Sequence, residues 1–503
     1  MAEPVIAVRG ISKAFSGVKA LDQIDFEMYP GEIHCLAGEN GSGKSTLIKV
    51  ISGVYEPDEG EIVVGGRSYS KLSPIEAIHH GIQVIYQDFS VFPNLTVMEN
   101  LALTSELSER RKLVNWRRFR QIAEEAVSKI NFKIDLDARV ADLSVADKQL
   151  VAISRALLTE TKLIIMDEPT TALTDREVAS LFRVVRDLQS RGIAILFVSH
   201  KLDEVFEISE RFTIIRNGKL VVTTSPEDLT HKKFAQYMTG REVSDETTAP
   251  TGELGEIALE AEDLSLQDAF EDVNFALRKG EVLGITGLLG SGRTELALTL
   301  FGVFSPDGGE LKVAGKPVKL KGIRDAIANG IAYVPEDRLT EGLMLERSIA
   351  DNIVISEIDD LSTGMGVTRP RRRAAEVEKW VKELAIATKN PYNAVNTLSG
   401  GNQQRVVLAK WLATNPDVLI LNGPTVGVDI GSKHDIHVIL KELAESGMGI
   451  IVISDDIPEL LSVTNRVLLL QEGRIVGEVD PAATTQRELS DLITGASTGV
   501  EEK

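Results

Sequence analysis

The consecutive residues Gly38-Glu39-Asn40-Gly41-Ser42-Gly43-Lys44-Ser45 fit the pattern G-x-x-x-x-G-K-S. The chemistry this spacing suits is the cradling of phosphate. Glycines let successive backbone N–H groups turn inward around phosphate oxygens, and the N-terminus of a following helix adds its dipole. Lys44 offers a charge to β- and γ-phosphates, and Ser45 a hydroxyl to Mg²⁺. The candidate binding residues are Gly38, Asn40, Gly41, Ser42, Gly43, Lys44, Ser45 and Thr46. Further along, the apolar run Leu163-Ile164-Ile165-Met166 ends on Asp167 and Glu168. Asp167 can hold Mg²⁺ through water, and Glu168 is the natural base for an attacking water. Alone, such a pair is more often a solvated loop; behind a phosphate loop it is specific. His200 closes the next apolar run, Phe197-Val198-Ser199-His200, a strand-end place beside a γ-phosphate.

These groups need rigid elements to hold them. Residues 163–166 and 193–198 are continuous apolar runs without alternation, the mark of strands buried on both faces. Between them, residues 177–188 carry apolar side chains at helical spacing. Strand, helix, strand predicts an α/β fold with helices on the faces of a sheet. The same plan occurs twice. Residues 36–47 recur as 285–296, and Gly81–Asp88 recurs as Gly330–Asp337. Lys44 and Arg293 stand 249 residues apart, as do Gln87 and Glu336, while Ser144 and Ser399 stand 255 apart. One short insertion reconciles the offsets, so a whole domain is duplicated rather than a short solenoid unit. A polar stretch with Pro250 and Gly252 separates the copies as linkers do. The expected division is a first domain over 1–240, a linker over 241–255 and a second domain over 256–503.

Composition narrows the setting. With 55 basic and 75 acidic residues the formal charge is −20, which gives no net attraction to nucleic acid or anionic lipid. The clusters Arg110-Arg111-Lys112, Arg117-Arg118 and Arg371-Arg372-Arg373 read as solvated helix faces. His79, His80 and His231 lack metal-ligand partners at suitable spacing and read as surface residues. Cys35, the single cysteine, lies in an apolar run and reads as a buried strand residue with no disulfide partner. The N-terminus shows no signal-peptide pattern, and no apolar run approaches the ~20 residues that span a bilayer. A cytoplasmic location is expected, with any membrane part supplied by another chain.

On these motifs the first half resembles an ATP-binding-cassette (ABC) ATPase along its whole length. The resemblance makes Gln87 the Q-loop residue and a further Mg²⁺ ligand, and residues 172–175 the D-loop. It makes Phe15 the aromatic that stacks on adenine. The second half carries Leu398-Ser399-Gly400-Gly401-Asn402-Gln403-Gln404, similar to the family's signature in its sugar-importer form. With Tyr333-Val334-Pro335-Glu336-Asp337-Arg338, the pair resembles the tandem ATPases of ribose, galactose, xylose and arabinose importers. The resemblance implies two P-loop domains, each with a RecA-like α/β core, an antiparallel β subdomain and a helical subdomain. It implies ATP and Mg²⁺ as ligands and a catalytic set of Lys44, Gln87, Glu168 and His200. Its partners are an integral permease homodimer and, through it, a periplasmic or lipoprotein solute-binding protein. The place is the cytoplasmic face of a bacterial inner membrane. The segments after Gln87 and Glu336 are expected to border the groove that receives a permease helix. Two alternatives stay open: an importer of nucleosides or a sugar-derived signal molecule, and a soluble tandem cassette acting on ribosomes or DNA. Relatives of the second kind carry a long basic linker or zinc-binding cysteines, which this chain lacks.

The departures from the family pattern fall in an order. The first signature reads Leu143-Ser144-Val145-Ala146-Asp147, with both glycines gone. In the second P-loop, Gly287, Gly290, Gly292 and Thr294 remain, but Arg293 replaces lysine. Asn422 and Gly423 replace the acidic pair, and Asp455 stands where His200 stands in the first half. Cassettes of this family pair head to tail, so each ATP lies between one half's P-loop and the other half's signature. One site then combines the intact first P-loop with Ser399, Gly400 and Gly401. The other collects every defect. The resemblance therefore implies one hydrolytic site and one degenerate site in each sandwich.

Overall fold

In the segment Val18–Met28, Leu21, Ile24, Phe26 and Met28 are buried while the residues between them are exposed or half-buried. That alternation suits an antiparallel strand with one face on a core, and the segment pairs with Ile6–Phe15. The computed structural model describes residues 3–494 except 16–17, 87–88, 109–114, 171–172, 174, 200, 241–247, 289 and 363–367. The sequence-predicted residues Gln87, His200, Ala172, Thr174 and Arg110–Lys112 lie outside the described residues, as does the stretch 241–247 of the expected linker.

The chain divides into two compact units, Met1–Val243 and Ser244–Lys503. In the first, a four-stranded antiparallel sheet runs in the order Val18–Met28, Ile6–Phe15, Glu59–Val64, Arg67–Tyr69. A six-stranded sheet runs Lys219–Thr224, Arg211–Arg216, Ile33–Ala37, Ala194–Val198, Leu163–Asp167, Ile82–Ile85. Its neighbours are parallel except for the outer hairpin, Arg211–Arg216 with Lys219–Thr224. The strands Ile33–Ala37 and Ala194–Val198 are buried along their whole length, as a parallel sheet covered on both faces requires. Parallel register brings the carboxyl ends of Ile33–Ala37, Leu163–Asp167 and Ala194–Val198 to one edge, where α/β sheets hold ligands. Three helices, Val97–Ser108, Trp116–Ser128 and Val145–Ala156, pack on one another beside it.

The second unit repeats the plan, with a four-stranded sheet of the same order and a six-stranded sheet built on Val282–Thr286, Val418–Asn422 and Gly449–Ile453. Its helical group is Ile349–Val354, Pro370–Glu383 and Gly400–Leu412. Part of the expected linker is held by this unit: Thr248 Oγ1 donates to the Ser462 carbonyl at 3.2 Å, and Asn465 Nδ2 donates to the Pro250 carbonyl at 3.0 Å.

The described cores differ. The second unit has one continuous cluster running from Ala258 to Ile493 through Tyr333, Trp380 and Trp411. The first has three. One lies under the antiparallel sheet, and one lies on the other face of the parallel sheet. The third lies within the helical group and is built on Val97, Leu101, Phe119 and Val140. The last two meet along the helix Val145–Ala156, which gives Val151 to one and Ile153 to the other. Among the described residues, no helix is long and apolar enough to cross a membrane.

Candidate functional site

The loop between Ile33–Ala37 and the helix Lys44–Ile51 is shaped by glycine. Gly38, Gly41 and Gly43 have φ of 155°, 80° and 113°. A Cβ on Gly38 would stand 2.2 Å from the Ile215 carbonyl oxygen, and one on Gly43 2.5 Å from that of Ala20. Gly43 is the N-cap of the helix and provides no side-chain cap, so its first N–H groups stay open to an anion. Ser42 Oγ is buried with no hydrogen-bond partner. The Lys44 ammonium, buried, donates to the carbonyls of Gly38 at 2.6 Å and Glu39 at 3.0 Å, curled over the loop it would share with a phosphate. Thr46 and Ser45 follow in the first turn of the same helix, and Asn40 lies at the crown of the loop.

Asp167 ends its strand half-buried. Burial and the neighbouring Glu168 push its carboxyl above the usual carboxylate range, against the pull of Lys44. A carboxylate so desolvated has the chemistry to hold a cation. Glu168 sits in the left-handed region at φ 50°, and its N–H donates to the Val198 carbonyl at 2.9 Å. Beyond it, the Thr170 hydroxyl bonds to Glu204, which also pairs with Lys201 at 3.0 Å. Phe15 is 41 % exposed at the end of its strand, its ring 5.2 Å from Tyr55 in an edge-on contact and 5.6 Å from the Lys13 ammonium that lies over it.

The corresponding edge of the second unit has the same backbone and different chemistry. Gly290 and Gly292 have φ of 82° and 94°, and a Cβ on Gly287 would lie 2.1 Å from the Leu470 carbonyl oxygen. Arg293 opens the helix Arg293–Leu300 with Thr294 beside it, and Ser291 Oγ is again without a partner. The Arg293 guanidinium donates to the Gly287 carbonyl at 3.0 Å and forms an ion pair with Asp455. The charge that would meet a phosphate is thus already engaged by a carboxylate. Asn422 is buried and hydrogen-bonded to Tyr333. Gly423 has φ of 58°, and a Cβ there would meet Glu336 Cγ at 3.1 Å. A cavity of 460 Å³ lies here, lined by Thr294, Tyr333, Glu336, Arg338 and Asn422 among others. The Asp307 carboxylate accepts from the Gln267 N–H as the Asp58 carboxylate accepts from that of Ala14, so Asp268 stands where Phe15 stands in the first unit.

The two signature helices start differently. Ser144 caps Val145–Ala156: its Oγ accepts from the Asp147 N–H at 3.1 Å and donates to the Asp147 carboxylate at 2.8 Å. Ser399 caps no backbone N–H; its Oγ accepts from Asn402 Nδ2 at 2.9 Å. Gly401 lies against Ser432, where a Cβ would stand 2.0 Å from its Oγ, and a Cβ on Gly400 would stand 2.8 Å from an Arg338 nitrogen. The second signature is therefore a helix N-terminus with bare glycines, and the first is a capped helix with Val145 and Ala146 in front.

The ABC transporter family is matched twice, over residues 21–171 and 270–426. The chain belongs to that family. Each ABC cassette is an ATP-binding unit, and hydrolysis of ATP is the reaction of this enzyme class. Among similar proteins are the ribose import ATP-binding protein RbsA of Bacillus subtilis, 39 % identical over 97 % of this chain and 99 % of that one. RbsA of Clostridium perfringens is 40 % identical over 98 % of each chain. A ribose/galactose/methyl galactoside import ATP-binding protein of Rhizobium johnstonii is 38 % identical over 98 % of this chain and 96 % of that one. Among solved structures, the ADP conformation of MJ1267, an ATP-binding cassette of an ABC transporter, is 28 % identical, with a TM-score of 0.41. It covers 45 % of this chain and 93 % of that one.

Within the first cassette the structure brings Lys44, Ser45, Asp167 and Glu168 to one sheet edge; within the second it places Ser399, Gly400 and Gly401 at one helix start. Sequence reasoning missed the Arg293–Asp455 pair and the place of Arg338, which donates to the Val426 and Gly427 carbonyls, the latter at 2.9 Å. The signal for the first was available, since two departures of opposite charge at one site suggest a pair. Arg338 carried no spacing that pointed to Gly427.

Proposed function

We propose that this chain is the ATPase subunit of an ABC importer, coupling hydrolysis of MgATP to uptake of a monosaccharide or related small polar solute through a separate permease. The observation that carries the reading is the segregation of parts. An open phosphate loop with a carboxylate pair stands in one cassette, and an uncapped glycine signature stands in the other. The printed names of relatives matched over nearly their whole length support a sugar as cargo. In this reading cassette one spans 1–240 and cassette two 256–503, joined through 241–255, with head-to-tail pairing of the cassettes within or between chains.

In the hydrolytic site, the N–H groups of 41–46 and the Lys44 ammonium hold the phosphates, and Phe15 stacks on the base. Ser45, Asp167 and Gln87 would hold Mg²⁺, which would supply neutralisation of the phosphate charge. Glu168 takes the proton of the attacking water, and His200 and Gln87 orient the γ-phosphate side. Ser399, Gly400 and Gly401 complete the site with a helix N-terminus that stabilises charge on the transferring group. The second site, with Arg293 engaged by Asp455 and no acidic pair, binds nucleotide without turning it over. The partners are a permease homodimer and, through it, a periplasmic or lipoprotein solute-binding protein, with this subunit peripheral on the cytoplasmic face of the inner membrane. Nucleic acid has no role. The test is purification from membranes followed by reconstitution. Co-purification with an integral permease, and ATP hydrolysis stimulated by a sugar-loaded binding protein, support the reading. Recovery with ribosomes or DNA overturns it.

A further inference from the structure

The helix that begins with the signature also carries, near its C-terminal end, a cation turned toward a different part of the cassette. In the second cassette this is Lys410, 9 % exposed, whose Nζ donates to the Gly342 carbonyl at 2.6 Å. Gly342 ends the π-helical turn Arg338–Gly342, which Asp337 caps and joins to Glu336. In the first cassette the residue 255 positions earlier is Arg155. Its guanidinium donates to the Ser90 carbonyl at 2.8 Å and the Phe89 carbonyl at 3.3 Å. Phe89 and Ser90 follow Gln87 in the same way, and both are left-handed, at φ 58° and 47°. Two segments of different sequence and different local geometry thus present carbonyl oxygens to one cation at one helical position. Burying a cation is costly unless it is bonded; burial lowers Lys410 to about 8 and moves Arg155 in the same direction. An apolar side chain would fill either place more cheaply.

We propose that Lys410 and Arg155 are positioning residues that tie each signature helix to the segment behind its Q-loop position, so that the two move as one body. Arg338, from the same turn, passes beside Gly400 but donates to the Val426 and Gly427 carbonyls, so the bond that joins the helix to the turn is that of Lys410. Through it, a displacement of the turn is delivered to the helix that begins at Gly400. This rests on the reading above that the segment borders the permease groove and that the signature completes a nucleotide site.

The experiment uses the full chain, alone and with its permease. Hydrogen exchange of residues 338–342 is measured in the isolated chain with and without ATP, in the parent, Lys410→Met and Lys410→Arg. The expected result is a nucleotide-dependent change in the parent and in Lys410→Arg that is lost in Lys410→Met, with the KM for ATP unchanged. In the reconstituted transporter, stimulation of hydrolysis over the basal rate should fall about 5- to 10-fold in Lys410→Met and return in Lys410→Arg, the low end of the range for coupled sites. The inference is overturned if Lys410→Met keeps the nucleotide-dependent change, if the parent shows none, or if Lys410→Met loses ATP affinity and basal rate together. A parent whose hydrolysis no permease stimulates overturns the transport reading and leaves the exchange comparison to judge the tie.

Discussion

Glu168 and Gly423 occupy matching places after their strands, and both are left-handed, at φ 50° and 58°. The cassette with a carboxylate to place keeps a strained residue there, and the cassette without one has glycine. Left-handed geometry costs an L-residue ~1–2 kcal/mol, and glycine escapes that cost. Against it, glycine loses roughly 0.4–1 kcal/mol through the freedom of its unfolded chain. Glu168→Gly should therefore be more stable than Glu168→Ala by about 1 kcal/mol, although each removes the same carboxylate. For a unit of this size that difference is about 2–4 °C in melting temperature. Both variants should hydrolyse ATP at least ~10²-fold more slowly than the parent. Gly423→Ala should lose about 1 kcal/mol or slightly more. Its Cβ would meet Val426 Cγ2 at 2.8 Å, but Val426 is exposed and can turn away. Calorimetry of the full chain separates the cassettes, because the Glu168 variants shift one transition and Gly423→Ala the other. A Glu168→Ala protein that melts at or above Glu168→Gly would refute the reasoning, since the backbone at 168 would then carry no strain.

Three further outcomes follow from the described geometry. Ser399→Ala should slow steady-state hydrolysis far more than Ser144→Ala, whose hydroxyl serves as a helix cap; equal damage in single-turnover assays would mean that both sites work. Asp455→Asn frees the Arg293 guanidinium and should raise nucleotide occupancy of the second site by about tenfold, the worth of a charge pair near 1.4 kcal/mol, read by binding of a fluorescent ATP analogue in a Lys44→Ala background; unchanged binding would show that the pair does not compete with phosphate. Burial pushes the Cys35 thiol up to about 12. At pH 8 the native chain should therefore stay unreactive toward a disulfide reagent that labels the denatured chain at once.

The strand tips at 167 and 422 were legible because a continuous apolar run followed by a polar pair has few structural readings. The duplication was legible because constant offsets of 249 and 255 survive even where residues diverge. Residue type and register were enough to find the defects at Val145, Ala146, Asn422 and Gly423, two in each half; placing them in one site took the head-to-tail pairing that the resemblance implies. What escaped was contact between segments far apart in the chain. Arg293 and Asp455 lie 162 residues apart, and Arg338 and Val426 lie 88 apart. No periodicity encodes such pairs. Capping was equally hidden: Ser144 and Ser399 read alike, yet only Ser144 accepts a backbone N–H of its helix, while Ser399 accepts from the Asn402 side chain instead.

Among the described residues the interior of the first unit falls into three clusters and that of the second into one, which predicts different stiffness inside each unit. A block with one uninterrupted interior transmits strain through its packing. A block whose interior is partitioned behaves as a joint, bending along the helix where two partitions touch. The first unit is therefore expected to bend along Val145–Ala156, and the second to have less internal give.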